Sequence, residues 1–383
     1  MRLLLCAVGL LFGFALIEGG LRLFFDVTDV PRSTWDVSLG IRTDGNQRGR
    51  YVSDDYAVDY SYNSLGWNQP REYTPIRKPG ATRIAVVGDS FVEALHVRHD
   101  DTFFGRAERR MTEQGRPCEW YSFGVSGYGT GAEYMLIRNH VLDFSPDLTI
   151  LLFIGNDVMD TSPYLRGVNP WDTVFLLDGR GNLQLAPTEP FRPNKLKRWL
   201  GKSALVRYLY YQKRWFRPRN RRFAAVANQT TLKELDRRHG QRFADLVPQD
   251  LSDNDRGRLS WQVVEKLLVA MRDECNRRGS KFLLLWGGNR SVIRGAIAGE
   301  TSASTPQAED PWCLGPRIHE QGELLSAIAE RHSIPFLDLT DALVGYAKRT
   351  GQNVYFEHDG HWSRRGHQAV ADAIQPIVED LLR

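Results

Sequence analysis

The stretch Arg83-Ile-Ala-Val-Val-Gly-Asp-Ser-Phe-Val92 is an apolar, largely β-branched run that breaks at Gly88-Asp89-Ser90. β-Branched residues favour strands and Gly-Asp-Ser favours a turn, so the stretch predicts a strand that ends just before a serine. Ligands of open α/β sheets bind beyond the carboxyl ends of the strands, which makes Ser90 a candidate functional residue. The alternative is that Asp89 and Ser90 only cap a helix, because both residue types are favoured at that position.

A nucleophilic serine needs a base, and the base needs a group that orients it. Near the other end of the chain, Phe356-Glu-His-Asp-Gly-His-Trp362 places Asp359 and His361 in a short polar loop. The segment that follows has apolar residues at helical spacing. An aspartate and a histidine are the two further members of an acyl-transfer triad, so we expect both to act with Ser90.

Two more predicted strands end in residues suited to a site. Leu148-Thr-Ile-Leu-Leu-Phe-Ile154 is a continuous apolar run, typical of a strand buried on both faces, and it ends in Gly155-Asn156-Asp157. Tyr121-Ser-Phe-Gly-Val-Ser-Gly-Tyr-Gly-Thr130 runs into a glycine-rich loop. Glycine lets the backbone N–H groups of such a loop approach a substrate closely.

In chain order these strand ends carry Ser90, Gly127, Asn156 and the pair Asp359/His361. The series resembles the four sequence blocks of the SGNH hydrolase superfamily, also called the GDSL esterases, over about residues 60 to 383. The resemblance implies that Ser90 is the nucleophile and His361 the general base, with Asp359 holding its ring. It also implies an oxyanion hole formed by the backbone N–H groups of Ser90 and Gly127 and the side-chain amide of Asn156. Gly129 is the alternative for the glycine role.

The acid partner departs from the usual pattern of that family. Most members place the acid three residues before the histidine, a position held here by His358, whereas Asp359 lies two residues before. Asp359-Gly-His361 resembles the Asp-x-His variant of polysaccharide O-acetyltransferases of the same superfamily. The sequence therefore leaves His358 as a competitor of Asp359. For His367, in the first turn of the last predicted helix, we expect a structural role in satisfying free backbone groups.

Alternating strands and helices predict a flavodoxin-like, three-layer α/β/α domain with a central parallel sheet of about five strands. The predicted strands are 83–87, 119–123, 148–154, 281–286 and 334–337, and the predicted helices are 103–114, 132–142, 257–278, 317–331 and 364–382. We expect a membrane anchor at 1–25, a polar connector with a little structure at 26–80, and a hydrolase domain at 81–383. Residues 158–256 are too many for a loop and indicate a folded insertion.

The amino terminus predicts a membrane-spanning helix. Residues 3–17 carry no charge, and apolar residues resume after Glu18, so residues 3–25 reach the roughly 20 residues that a span needs. Glu18 and Arg22, four residues apart, can pair at the interface. A cleaved signal peptide is the alternative, but bulky residues continue the apolar run where a cleavage site wants small ones. Flanking charges are nearly balanced, and an extracytoplasmic catalytic domain is implied by the resemblance alone.

Net charge and cysteine content bear on the partners and cofactors that we expect. The formal net charge of +4 is mild, and we expect no nucleic-acid partner. Twelve Lys or Arg and no acid fall within residues 192–222, interleaved with aromatic residues, which fits either an anionic membrane surface or a solvated basic face. Cys275 and Cys313 could pair in an oxidising compartment, and Cys6 and Cys118 complete the four cysteines. Ligand spacing is absent, so we expect no metal and no other cofactor.

These observations favour a membrane-anchored serine esterase acting on an O-acyl group, with acetyl on a carbohydrate or cell-envelope glycan as the preferred substrate. An O-acyltransferase that moves acetyl onto a polysaccharide is the first alternative. A non-catalytic glycan-binding or assembly protein is the second. The nature of the acyl donor and the oligomeric state stay open.

Overall fold

The structure is a computed structural model that describes residues 1–165, 168–192, 194–213, 225–240, 242–247, 251–299 and 320–383. The described strands are β1 (Ser33–Asp36), β2 (Gly40–Thr43), β3 (Gln47–Val52), β4 (Ala57–Tyr62), β5 (Thr82–Gly88), β6 (Cys118–Gly124), β7 (Leu148–Phe153), β8 (Phe175–Leu177), β9 (Leu183–Leu185), β10 (Lys281–Trp286) and β11 (Phe336–Asp338). The described α-helices are α1 (Arg2–Phe24), α2 (Ser90–Glu93), α3 (Phe103–Glu113), α4 (Thr130–Asn139), α5 (Asp157–Thr161), α6 (Lys195–Leu200), α7 (Ala204–Val206), α8 (Ala225–His239), α9 (Asp253–Arg277), α10 (Arg290–Ala298), α11 (Gln321–Arg331), α12 (Thr340–Thr350) and α13 (Arg364–Leu381). Short 3₁₀ turns cover His99–Asp101, Val141–Phe144 and Phe243–Leu246, and a π-helical turn covers Arg207–Gln212.

The central sheet has five parallel strands in the order β11-β10-β7-β5-β6. If only the strands of this sheet are numbered, in chain order, β5, β6, β7, β10 and β11 become strands 1 to 5. Read from the β6 edge, the order is then 2-1-3-4-5, which is the flavodoxin-like order. The predicted fold class is confirmed, and the four longer strands lie within a residue or two of their predicted bounds. The edge strand β11 is shifted toward its carboxyl end, to Phe336–Asp338.

Each face of the sheet carries its own apolar layer. Every residue of β7 is buried, as its unbroken apolar run predicts. Leu151 and Phe153 pack in one layer with residues of α4, α9 and α11. Ile150 and Leu152 pack in the other, with residues of α3, α12 and α13. Alternate strand residues therefore hold the helices on both sides and fix the strand ends in place.

The segment between α1 and the sheet is more ordered than its polar composition predicts. It forms two antiparallel hairpins, β1 with β2 and β3 with β4. Its Asn63–Trp67 turn packs on the sheet: Trp67 is buried with its ring 5.1 Å from Phe123, and Asn63 accepts hydrogen bonds from the N–H groups of Leu65 and Trp67. The hairpins thus belong to the folded unit and border the carboxyl ends of the central strands.

Helix α1 stands apart from the core. Between Leu4 and Phe24 it is long and apolar enough to cross a membrane, and most of its residues are exposed, with partial burial at 18–20 and a buried Leu21. A signal sequence would have the same length and composition.

Between α5 and α9 the described residues form the β8/β9 hairpin, α6 to α8, the π-helical turn and a 3₁₀ turn. Apolar residues from this region, among them Leu176 and Leu232, pack with Val263 and Leu267 of α9. Cys275 is buried with a free thiol, and Cys313 lies outside the described residues, so the possible Cys275–Cys313 pair stays a prediction. The first three residues of the predicted helix 317–331 also lie outside them, and the described helix α11 covers Gln321–Arg331.

Candidate active site

The sheet order places two of the predicted residues at one point. The strands are all parallel, but the order in which the chain adds them reverses between the neighbouring strands β5 and β7, and ligand sites of such folds lie at this switch point. Ser90 follows β5 and Asn156 follows β7. Asp89 caps α2, because its Oδ1 accepts the N–H of Phe91 at 2.9 Å. Since Asp89 takes the capping role, the hydroxyl of Ser90, the first residue of α2, is left for another partner.

That partner is His361. Ser90 Oγ lies 2.7 Å from His361 Nε2, and His361 Nδ1 lies 2.5 Å from Asp359 Oδ1. The three side chains form one continuous line of hydrogen bonds, which joins Ser90 to two residues near the other end of the chain. His361 is partly exposed, whereas the Asp359 side chain is largely buried. A hydroxyl, an imidazole and a carboxylate in this order can move a proton from the serine and stabilise the resulting imidazolium.

The structure separates Asp359 from its competitor. His358 points to the other side of the loop, where its Nδ1 and backbone N–H contact the carboxylate of Asp55 at 2.9 and 2.8 Å. Burial acts to raise the pKa of Asp359, but the hydrogen bond and charge of His361 outweigh it and hold that pKa well below its usual range. Asp359 is therefore ionised at any ordinary pH, as an imidazolium partner requires.

The two glycines of the loop after β6 differ in their surroundings. Gly127 adopts φ +82°, and a Cβ added there would meet no atom within 4 Å. A Cβ on Gly129 would come within 2.8 Å of the backbone of Asp160 and Thr161. Gly129 is thus required for packing against α5, whereas Gly127 faces open space. Of the two, Gly127 has the surroundings that a substrate-facing N–H needs.

The Asn156 amide lies among carboxylates. Its Nδ2 donates to Asp89 Oδ2 at 3.2 Å and to Asp160 Oδ2 at 3.0 Å. Asp89 Oδ2 also lies 3.4 Å from Ser90 Oγ, so the Asn156 amide is held close to the serine. Burial raises the pKa of Asp89 above its usual range. An amide held beside the serine can turn toward an oxyanion that forms there.

Beneath this amide lie two further buried carboxyl groups, those of Glu133 and Asp157. Both Glu133 oxygens lack a hydrogen-bond partner among the described residues, and both side chains are fully buried. Burial, reinforced by the neighbouring carboxylates, raises the pKa of each well above its usual range. Burial and the neighbouring carboxylates therefore favour the neutral form of both groups.

Glu93 was not singled out from the sequence, although it lies one turn after Ser90. Its carboxylate is buried and contacts Ser126, next to Gly127, through both the N–H at 3.0 Å and the hydroxyl. Its other oxygen accepts from Tyr62 at 2.5 Å and Thr43 at 3.3 Å. Glu93 thus fastens the loop that carries Gly127 to both N-terminal hairpins.

Tyr56 and His96 were also missed. The Tyr56 hydroxyl donates to Asp359 Oδ2 at 3.1 Å, and burial, with the nearby charge of Asp359, raises the Tyr56 pKa far above its usual range. The phenol therefore remains a donor. The His96 ring stacks on His361 with centroids 3.7 Å apart, and it meets Tyr56 edge-on at 5.2 Å. Both residues restrict where Asp359 and His361 can lie.

His96, Asp359 and His361 also place one possible metal-ligand atom each within 4.8 Å of one another. However, both ring nitrogens of His361 contact Ser90 and Asp359. A metal ion would have to displace the hydrogen bonds that define the site. His367 lies apart from this group: it is buried, and its Nδ1 accepts the N–H of Phe103 at 3.2 Å. This contact fits the structural role expected for His367.

No protein-family model matches the chain, and no curated protein matches it in sequence. The fold is similar to solved structures of esterases and acylhydrolases. One is TesA, with 12% identity over 78% of this chain and 99% of that chain, at a TM-score of 0.41. A second is AlinE4, described as an SGNH-hydrolase family esterase, with 15% identity over 80% and 100% and a TM-score of 0.35. A third is the acetyl xylan esterase AlAXEase, with 13% identity over 77% and 99% and a TM-score of 0.39.

Of the three, AlinE4 carries the name of the class that the sequence blocks resemble. At such identities and TM-scores, none of them assigns a residue or a substrate to this chain.

Proposed function

We propose that the protein is a serine esterase that hydrolyses O-acyl esters through Ser90, His361 and Asp359. The observation that carries the proposal is the unbroken hydrogen-bonded line from Ser90 Oγ to the Asp359 carboxylate. A binding or assembly protein has no need of a serine hydroxyl 2.7 Å from an imidazole that is itself held by a carboxylate. The site needs no metal or other cofactor for this chemistry.

In the first step, His361 Nε2 takes the proton of Ser90 Oγ as the oxygen attacks the ester carbonyl carbon. The developing oxyanion is held by the N–H groups of Ser90 and Gly127 and by the Asn156 amide, which turns away from Asp89 to reach it. His361 then gives its proton to the leaving alkoxide, and an acyl-serine remains. In the second step, His361 removes a proton from water as the water oxygen attacks the acyl carbon. The bond from the acyl carbon to Ser90 Oγ then breaks, His361 returns the proton to Ser90, and the carboxylic acid is released.

The surroundings of the site suit a substrate rich in hydroxyl groups. A cavity of about 380 Å³ reaches the site at Ser126 and Asp359, and its lining also includes Asp54, Asp55 and Lys213. Polar side chains at these positions can hydrogen-bond sugar hydroxyls. Together with the Asp-x-His pattern, this supports an O-acetylated carbohydrate or cell-envelope glycan as the substrate. In the transferase alternative, a sugar hydroxyl bound in the same cavity replaces water in the second step.

Residues 1–25 are proposed to anchor the protein in a membrane with the catalytic domain, residues 81–383, on the extracytoplasmic side. Residues 26–80 join the two, and residues 158–256 are proposed as an insertion in the catalytic domain. Its partners are then the acylated substrate and the bilayer.

Labelling with a fluorophosphonate tests the nucleophile, because rapid reaction requires both the base and the oxyanion hole. We expect about one label per chain on Ser90 and none in Ser90→Ala. Ser64→Ala, at an exposed serine, is the control and should label as the wild type does. Labelling of Ser90→Ala at the wild-type rate would refute the proposal. Partition of the acyl-enzyme between water and an added glycan then separates hydrolase from transferase.

A further inference from the structure

The segment that follows α6 is fastened to the end of α1. Glu18 accepts hydrogen bonds from the hydroxyl of Ser203 at 2.8 Å and from the N–H groups of Ala204 and Leu205 at 2.7 and 3.0 Å. Arg22 pairs with Glu18 and also donates to the carbonyl of Lys202 at 2.6 Å. The ion pair expected from the sequence therefore serves to hold a distant segment of the chain.

The same attachment continues past the end of α1. Gln212 contacts the backbone of Asp26 and Thr28, and Arg207 donates to the carbonyl of Thr28 at 3.3 Å. Residues 202–212 thus lie along residues 18–28. Glu18 lies six residues before the last residue of α1, about 9 Å along a helix. The contacts therefore lie at the depth where a spanning helix would leave the hydrocarbon for the headgroups.

Helix α6 comes just before this attachment and exposes an apolar face. Leu196, Trp199 and Leu200, at helical positions i, i+3 and i+4, are 62%, 66% and 37% exposed. The described residues cover these side chains only in part, although soluble proteins bury such residues where they can.

Basic side chains surround that face. Lys195, Lys197 and Arg198 share the helix, and all are exposed. Lys202 follows on the attached segment. Within the described residues no acidic side chain forms an ion pair with any of these four. A short helix with an apolar face and a basic rim is typical of a segment that lies in the headgroup region of a membrane.

We propose that α6 is a second membrane contact, in which Leu196, Trp199 and Leu200 enter the interface and the basic side chains bind anionic lipid headgroups. The occupant is the bilayer that holds α1, because the contacts of Glu18 and Arg22 place α6 beside that helix. Each basic residue near such a surface contributes to binding, and the attachment keeps the local lipid concentration high. The inference rests on the membrane placement of α1 and not on ester hydrolysis.

The test uses the full chain reconstituted in vesicles of phosphatidylcholine, with or without phosphatidylglycerol. Lipids brominated near the headgroup quench tryptophans that lie in the interface. The contribution of Trp199 is the difference in quenching between the wild type and Trp199→Phe. We expect a clear difference in anionic vesicles, and we expect it to fall as salt is added.

The double substitution Lys195→Gln/Lys197→Gln is made both in the wild type and in Trp199→Phe. It should at least halve the quenching difference between the proteins with and without Trp199 in anionic vesicles. Lys348→Gln/Arg349→Gln, at exposed positions on α12, removes the same charge and should leave it unchanged. Equal quenching of the wild type and Trp199→Phe would overturn the proposal, and so would equal effects of the two double variants. Extraction with alkaline carbonate tests α1 separately, and ester hydrolysis is measured on the same vesicles.

Discussion

Replacing Asp359 by asparagine should cost less than the loss of a triad acid usually does. In serine proteases such a change costs about 10⁴-fold in rate because the amide favours the wrong imidazole tautomer. Here two groups orient the side chain. Asp359 Oδ1 accepts the backbone N–H of His361 at 3.0 Å as well as Nδ1–H, and Oδ2 faces the Tyr56 hydroxyl.

In Asp359→Asn the amide oxygen takes the Oδ1 position, because a backbone donor faces it. The amide nitrogen then donates to the Tyr56 oxygen, since a hydroxyl can accept as well as donate. The His361 tautomer is kept and only the negative charge is lost. A carboxylate and an imidazolium about 4 Å apart interact by about 4 kcal/mol at an effective dielectric constant of 20. The neutral hydrogen bond that remains contributes about 1 kcal/mol. A net loss of about 3 kcal/mol corresponds to about 10²-fold in rate.

The measurement is kcat/KM for a short-chain aryl ester, with the concentration of active enzyme set by fluorophosphonate titration. The matched control is Asp55→Asn, which alters the neighbouring contact to His358 and should change the rate by less than about fivefold. A loss of 10⁴-fold or more in Asp359→Asn would show that the amide turns and that Tyr56 does not orient it. A loss below tenfold would show that the carboxylate charge is not used.

Three further outcomes are expected. Asn156→Ala should lower kcat about 10² to 10³-fold with a smaller change in KM, measured by steady-state kinetics on enzyme whose active sites have been titrated. A loss of titratable active sites as large as the loss of activity would indicate a structural role for Asn156 instead. Burial, aided by the charge of Arg106, lowers the pKa of His367 to about 3 in the folded protein. Between pH 3 and about pH 6.5, His367 is therefore protonated only in the unfolded chain. The free energy of unfolding falls as pH is lowered through this range. In His367→Asn the side-chain oxygen can still accept the N–H of Phe103. Between pH 7 and pH 5 this variant should lose about 2 kcal/mol less free energy of unfolding than the wild type does, as measured by urea denaturation. The same pH dependence in both proteins would refute this. Deleting residues 2–16, which keeps Glu18 and its contacts, should move the protein from the membrane fraction toward the soluble fraction with its esterase activity retained.

The strand ends could be predicted from the sequence because their signals are local. Ser90, Asn156 and His361 each stand at a break in an apolar or helical pattern, and a parallel sheet brings such breaks to one edge. The choice of Asp359 over His358 required the structure. The two-residue offset works because the carboxylate accepts the backbone N–H two residues later, as in an Asx-turn, which brings the same oxygen to the ring nitrogen.

Tyr56, Glu93 and His96 could not be found in the same way. Tyr56 lies in the turn of a short hairpin in a polar segment, where two strands of six residues each give weak patterns. It contacts a residue 303 positions away, and no local signal reports such a pairing. Glu93 and His96 lie close to Ser90 in sequence, but their roles depend on partners from the hairpins and the last loop.

The turn between β3 and β4 sets where a soluble version of the enzyme can begin. Within it Asp54 pairs with Lys213 at 2.6 Å, Asp55 contacts His358 and Tyr56 contacts Asp359. The segment that precedes the hairpin holds this turn in place, because the Thr28 hydroxyl accepts the N–H of Val52 at 3.1 Å. Truncation at the start of the central sheet would therefore yield a protein whose nucleophile is intact but whose triad acid is unsupported. A truncated enzyme should start before Thr28, and replacing residues 1–62 with an unrelated anchor would impair the very loop that carries the base.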